Sequence, residues 1–210
     1  MNQVYYFTAI SGIVMDYQNM TDEALVKLTL KNPEMFYHLM QRYEQKLLRY
    51  IRYFSSIDEQ SAEDVVQETF LNAYKSLNSF DPDMKFSSWI YRIARNETVD
   101  FLRKNLNKKK VISLESNNEN DLQLIDLLKS DVDVLKDVKT AEMKNKVRAI
   151  ISAMPKEYKE VLILRYMEEK GYNEIGDILQ KPSGTVAILI SRAKSYFKDV
   201  AIKYGLDLLI

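Results

Sequence analysis

The chain offers little to catalysis, since its 210 residues include one histidine and no cysteine. His38 lies in a helical stretch, and neither a metal-ligand spacing nor a phosphate-cradling glycine loop stands near it. Without cysteine there are no disulfides or thiolates, which suits a reducing cytoplasm. No enzyme activity, metal, cofactor or small-molecule substrate is expected. The side chains that do form a pattern are cationic, aromatic and amide. Trp89, Arg92, Asn96, Val99 and Arg103 recur at steps of three and four, so a helix places them on one stripe. Such a set puts an amide that donates and accepts beside two cations and an aromatic ring, groups suited to a polar, anionic partner. At Trp89, packing in a core is an equally open reading.

The charges point the same way. Lys and Arg total 30, as do Asp and Glu, but they are segregated. Residues 86–110 carry seven basic side chains against two acidic ones, and residues 181–203 carry five against one. Residues 111–140 carry three against seven. Two basic segments flank an acidic one, which the neutral total conceals.

The elements that must position these residues are helices. Five glycines, four prolines and long runs of helix formers predict an all-α fold of two small domains joined by a flexible linker. Residues 1–20 read as a loosely attached extension without a signal-peptide pattern, with Met15 or Met20 as candidate starts. No run is long and apolar enough to span a membrane. Thr21 opens the first helix as a cap. In the second, Phe36, Leu39, Met40, Tyr43, Leu47, Tyr50 and Phe54 form an amphipathic stripe. A third begins near Ser61 with Val66, Phe70, Ala73, Tyr74 and Leu77 inward, and Glu63, Asp64, Gln67, Glu68 and Lys75 outward. A turn over residues 78–86 leads to a fourth helix from about Ser87 to Lys104. The first domain therefore covers residues 21–104 and the linker 105–135, where "SLESNNENDLQ" is polar and acidic.

The second domain covers residues 136–210. Its periodicity resumes near Val134, Pro155 starts a helix, and Gly171 closes it. "YNEIGDIL", the turn "QKPS" and a longer helix with Ser183 as N-cap then have helix-turn-helix spacing, although an ordinary helical hairpin shares it. With Val186 centred on the packed face, Ser191, Ser195, Ile188 and Arg192 fall at about 140°, 180°, 200° and 240° around the helix. Leu189, Ile190, Ala193 and Phe197 join Val186 on the inner face, toward Ile175, Ile178 and Leu179.

"AEDVVQETFLNAYKSLNSFDPDMKFSSWIYRIARNETVDFLRK" resembles region two of the bacterial RNA polymerase sigma subunit, and "MPKEYKEVLILRYMEEKGYNEIGDILQKPSGTVAILISRAK" resembles its region four. The pair in this order, separated by a linker, is similar to sigma factors of the extracytoplasmic-function class in the sigma-70 family. The resemblance implies core RNA polymerase and promoter DNA as partners, and an anti-sigma factor as a third. It implies core-polymerase binding by Asp64, Gln67 and Glu68. It implies a specificity loop for the downstream promoter element over residues 79–86, with Asn96 in a base-contacting position. Lys85, Trp89, Arg92, Arg95, Arg103 and Lys104 then surround the melted strand.

For the helix-turn-helix, the resemblance implies upstream-element contacts from Lys181, Ser183, Thr185, Ala187, Ile188, Ser191, Arg192, Lys194, Ser195 and Lys198. Ala187 and Ile188 depart from the polar side chains usual there. An apolar pair reads DNA through thymine methyl groups, with Lys181, Arg192, Lys194 and Lys198 left for phosphates. The alternative places Ile188 in a protein interface. Two further classes compete with a sigma factor: a helix-turn-helix regulator that acts without replacing the polymerase sigma subunit, and a helical interaction protein with no DNA role.

Overall fold

Thr21 sets the start of the first helix, because its hydroxyl accepts the Ala24 N–H at 3.2 Å. In this computed structural model, which describes residues 17–105, 149–151 and 153–203, α1 spans Asp22–Thr29. A short 3-10 turn leads into α2, Phe36–Ser55. That helix ends where Ser56 takes a left-handed conformation with φ 59°. α3 runs over Glu59–Lys75 and begins two residues earlier than Ser61, because Asp58 caps it by accepting the Ser61 N–H at 2.9 Å. α4 covers Phe86–Asn105. The end of the expected loose extension is in fact fastened: Tyr17 stacks on His38 at 4.7 Å, and the Tyr17 and Gln18 carbonyls accept from Arg42. Residues 1–16 and the linker lie outside the described residues.

The first core follows the predicted stripes with two departures. Along α2 every predicted apolar position is buried except Met40, which stays 37% exposed. Along α3, Val66, Phe70 and Ala73 are buried, joined by Ala62, Val65 and Thr69, but Tyr74 is 44% exposed and meets Phe36 only edge-on. Trp89 is buried against Phe80 and Phe86, with ring centres 5.3 and 5.6 Å away. Its indole is a core group.

In the second domain Pro155 precedes α5, Lys156–Leu162, which widens into a single π turn over Ile163–Met167. Gly171 does not close that helix. It caps the next one, α6 (Tyr172–Leu179), where its N–H donates to Glu174 Oε2 at 3.0 Å. Gln180 then turns left-handed at φ 54°, and α7 occupies Ser183–Lys203 with Ser183 as its first helical residue. Val186, Leu189, Ile190, Ala193 and Phe197 are buried on α7, as are Ile175, Ile178 and Leu179 on α6. Among the described residues all regular elements are helical.

Gly176 carries the tight turn of this pair. A Cβ there would lie 2.7 Å from the Lys181 carbonyl oxygen, in the loop whose Lys181 N–H closes on Gly176 itself. Gly176→Ala should therefore shift the turn and lower stability by about 1–3 kcal/mol. Thermal unfolding followed by circular dichroism reads this as a drop in Tm, and an unchanged Tm contradicts it.

Candidate functional site

α3 turns its apolar positions inward, so Glu63, Asp64, Gln67 and Glu68 are left on the outer face. Leu71, one turn further on, is 52% exposed and makes this face partly apolar. Asn72 holds the helix to α4 by donating to Glu97 at 2.9 Å. The result is a rigid, acidic ridge with an apolar end, suited to a basic partner helix.

On α4 the predicted stripe divides. Asn96, Arg103 and Lys104 are exposed, and Arg92 and Val99 are partly exposed. Arg103 pairs with Asp100 at 3.0 Å, a surface ion pair that water screens. Trp89 faces the core, as described above. Arg95 is engaged by Glu160 of α5: Arg95 Nε lies 2.8 Å from Glu160 Oε1, and a second nitrogen lies 3.4 Å from Oε2. Lys85 stands 3.4 Å from Glu174 of α6.

On α7 the outward face carries Thr185, Ala187, Ile188, Ser191, Arg192, Ser195 and Lys198, all exposed. Ile188 is 54% exposed, a large apolar side chain in solvent. Ser183 is exposed at the helix start. Lys194 lies over the Tyr166 ring at 5.1 Å, and Lys181 is 3.6 Å from Glu157. Apolar and hydroxyl groups thus occupy the centre of the face, and cations flank it.

The two domains meet through residues whose roles the sequence did not disclose. α2 packs on α5 and the π turn, and α4 packs on α6. Glu160, 2% exposed, receives the Tyr50 hydroxyl at 2.9 Å as well as Arg95. Burial pushes its carboxyl above the usual range, although Arg95 and Tyr50 oppose this. Glu168, 9% exposed, takes Arg49 on both oxygens at 2.9 and 3.1 Å and accepts from the Tyr91 hydroxyl. Burial, then the Glu168 charge, push the Tyr91 phenol far up. The only hint in the sequence is that Glu160 adjoins the apolar run Val161–Leu164 and Glu168 follows it by one turn. Their partners are 65 to 119 residues distant.

Comparison with known proteins accounts for both halves. A family model described as Sigma-70 region 2 matches residues 39–107, and one described as Sigma-70, region 4 matches residues 144–196. The ECF RNA polymerase sigma factor SigW of Bacillus subtilis is 33% identical over 181 residues, covering 82% of this chain and 94% of that protein. The ECF RNA polymerase sigma-E factor of Escherichia coli K12 is 29% identical, over 84% and 92% of the two chains. Among solved structures, CnrH in complex with the cytosolic domain of CnrY is 22% identical, with a TM-score of 0.63 over 87% of this chain and 97% of that one. The sigma factor RpoE of Bartonella quintana in complex with the anti-sigma factor NepR gives 20% and a TM-score of 0.57, over 80% and 96%. With both sigma regions present in order, and with relatives matched along most of their length, this chain belongs to the extracytoplasmic-function sigma factors of the sigma-70 family, which direct RNA polymerase to promoters.

Proposed function

We propose that α3 binds core polymerase through Asp64, Gln67 and Glu68, that α4 and the loop before it hold the melted downstream element, and that the outward face of α7 docks in the major groove of the upstream element. One observation carries this reading: a single chain combines an exposed acidic ridge, an exposed Asn96 and an exposed α7 face, each inside a matched sigma region. Lys85, Arg92, Arg95 and Arg103 serve phosphates in the promoter complex, while Trp89 shapes the surface from beneath. The domains are residues 21–104 and 136–210, with residues 105–135 between them. The protein acts by binding and not by catalysis, and it works in the cytoplasm. Among the described residues no helix is long and apolar enough to cross a membrane. One solved relative is bound to an anti-sigma factor, which supports such a partner here.

In vitro transcription tests the whole reading. Purified core polymerase on fragments of the host genome should begin at specific sites only when this protein is added. A free-standing helix-turn-helix regulator needs no region 2, and it would leave those starts unchanged when omitted.

Ile188 gives a sharper test of α7. Its methyl groups should favour a thymine methyl in the upstream element, so Ile188→Ala should cost about 1 kcal/mol on the best sequence. That cost should shrink on a probe carrying uracil in place of the thymine. Arg192→Ala should instead weaken all sequences and flatten the salt dependence. Titration of holoenzyme on paired thymine and uracil probes checks both. Equal binding of parent and Ile188→Ala to both probes assigns the apolar face to a protein partner.

A further inference from the structure

A helix leaves its first N–H groups without partners of its own, and the residue before it usually supplies an acceptor. α4 has no such residue. Lys85, just ahead of Phe86, carries a side chain that only donates. The acceptor comes instead from another helix: Glu23, in the first turn of α1, takes the Phe86 N–H on Oε1 at 3.0 Å. Its negative charge also meets the positive end of α4. Glu23 is itself held in place. Its neighbour Asp22 binds Arg42 of α2 at 2.6 Å and accepts the Tyr43 hydroxyl, and the Tyr43 ring packs edge-on against Phe86 at 5.5 Å. Two adjacent carboxylates thus tie α1 both to α2 and to the start of α4.

The loop before α4 is pinned at its other end by Phe80, whose ring lies 5.3 Å from Trp89 and 5.8 Å from Phe86. Between the two anchors Asp81, Pro82, Asp83 and Lys85 are exposed. Inside the loop the Asp83 N–H donates to the Asp81 carboxylate and the Met84 N–H to the Asp81 carbonyl, both at 3.0 Å. We propose that Glu23 is a positioning residue for promoter recognition: by capping α4 from α1, it holds the preceding loop in the shape that receives the downstream element. This rests on the function proposed above, which sets that element against α4 and its loop. Glu23 lies outside residues 39–107, the stretch matched as region 2. A loop fixed at both ends loses less freedom when a strand binds it, and choice between bases requires one loop shape. Without the cap, the first turn of α4 frays and the loop gains a hinge at Phe86. A frayed loop still meets phosphates, so sequence preference suffers more than affinity in general.

The cap is tested in the free, full-length protein by amide hydrogen exchange. Glu23→Ala should speed exchange at the Phe86 amide about tenfold, and Glu23→Gln, which keeps an acceptor oxygen at the same reach, should stay near the parent. Unchanged exchange at Phe86 in Glu23→Ala overturns the cap and the proposal with it. Positioning is tested in holoenzyme, by permanganate reactivity on two promoters that differ in one base of the downstream element. The ratio of preferred to substituted promoter should fall about fivefold in Glu23→Ala and recover in Glu23→Gln. Asp58→Ala removes a comparable cap from α3, where Asp58 accepts the Ser61 N–H at 2.9 Å. It should lower Tm similarly and leave the ratio at the parent value. An equal fall in Asp58→Ala reduces the effect to stability and overturns the positioning role, as does faster exchange at Phe86 with an unchanged ratio. A parent that melts both promoters alike overturns the function proposed for the loop, whatever the exchange at Phe86.

Discussion

Glu68→Lys should weaken binding to core polymerase by about 2–3 kcal/mol, roughly 30- to 150-fold in Kd. Asp64→Lys should do nearly as much. Both side chains stand outside a helix whose opposite face is held by Val65, Val66, Thr69 and Phe70, so the charge changes without disturbing a packed contact. The magnitude reflects replacement of an attraction by a repulsion on a rigid surface, where neither partner can swing away. Neither carboxylate has an ion-pair partner among the described residues that the substitution would strand. Retention of core enzyme on immobilised protein measures the effect, with circular dichroism as the control for folding. Full retention of core by both reversed variants removes α3 from the polymerase interface.

Asn96→Ala should slow open-complex formation about tenfold, as expected for a lost base contact worth roughly 1–3 kcal/mol. It should leave capture of the duplex nearly intact, because in the function proposed above that capture rests on the outward face of α7. Asn96 is exposed one turn beyond Arg92 on α4, between the buried positions Ala94 and Thr98. Its amide both donates and accepts, so it can pair with the edge of an unstacked base. Permanganate reactivity of unpaired thymines reports melting, and filter retention of the same complexes reports capture. Normal permanganate reactivity on a natural promoter assigns Asn96 to the surface alone.

Much of this protein is legible from sequence. Helical periodicity located α2, α3 and α7 because each buries one continuous stripe, and on α7 the spacing named Val186, Leu189, Ile190, Ala193 and Phe197 but missed the buried Ala201. The same geometry put Ile188 outside, where the structure leaves it 54% exposed. Turn chemistry was less legible. Gly171 follows an apolar run and so reads as a helix end, but the Glu174 carboxylate makes it a beginning.

Local periodicity says which way a side chain points from its own helix, not what stands opposite. Trp89 shares its stripe with Arg92 and Asn96, and only the approach of Phe80 and Phe86 makes it a core residue. The fate of the cations was decided in the same way. Arg95 and Lys85 have the same character as Arg103 in the sequence, yet Glu160 and Glu174 claim the first two, while Arg103 remains at the surface beside Asp100. Helix formation, capping and amphipathicity are short-range and are written in neighbouring residues. The pairing of carboxylate with guanidinium across two domains depends on which surfaces the tertiary fold brings within 3 Å, and no spacing along the chain encodes that.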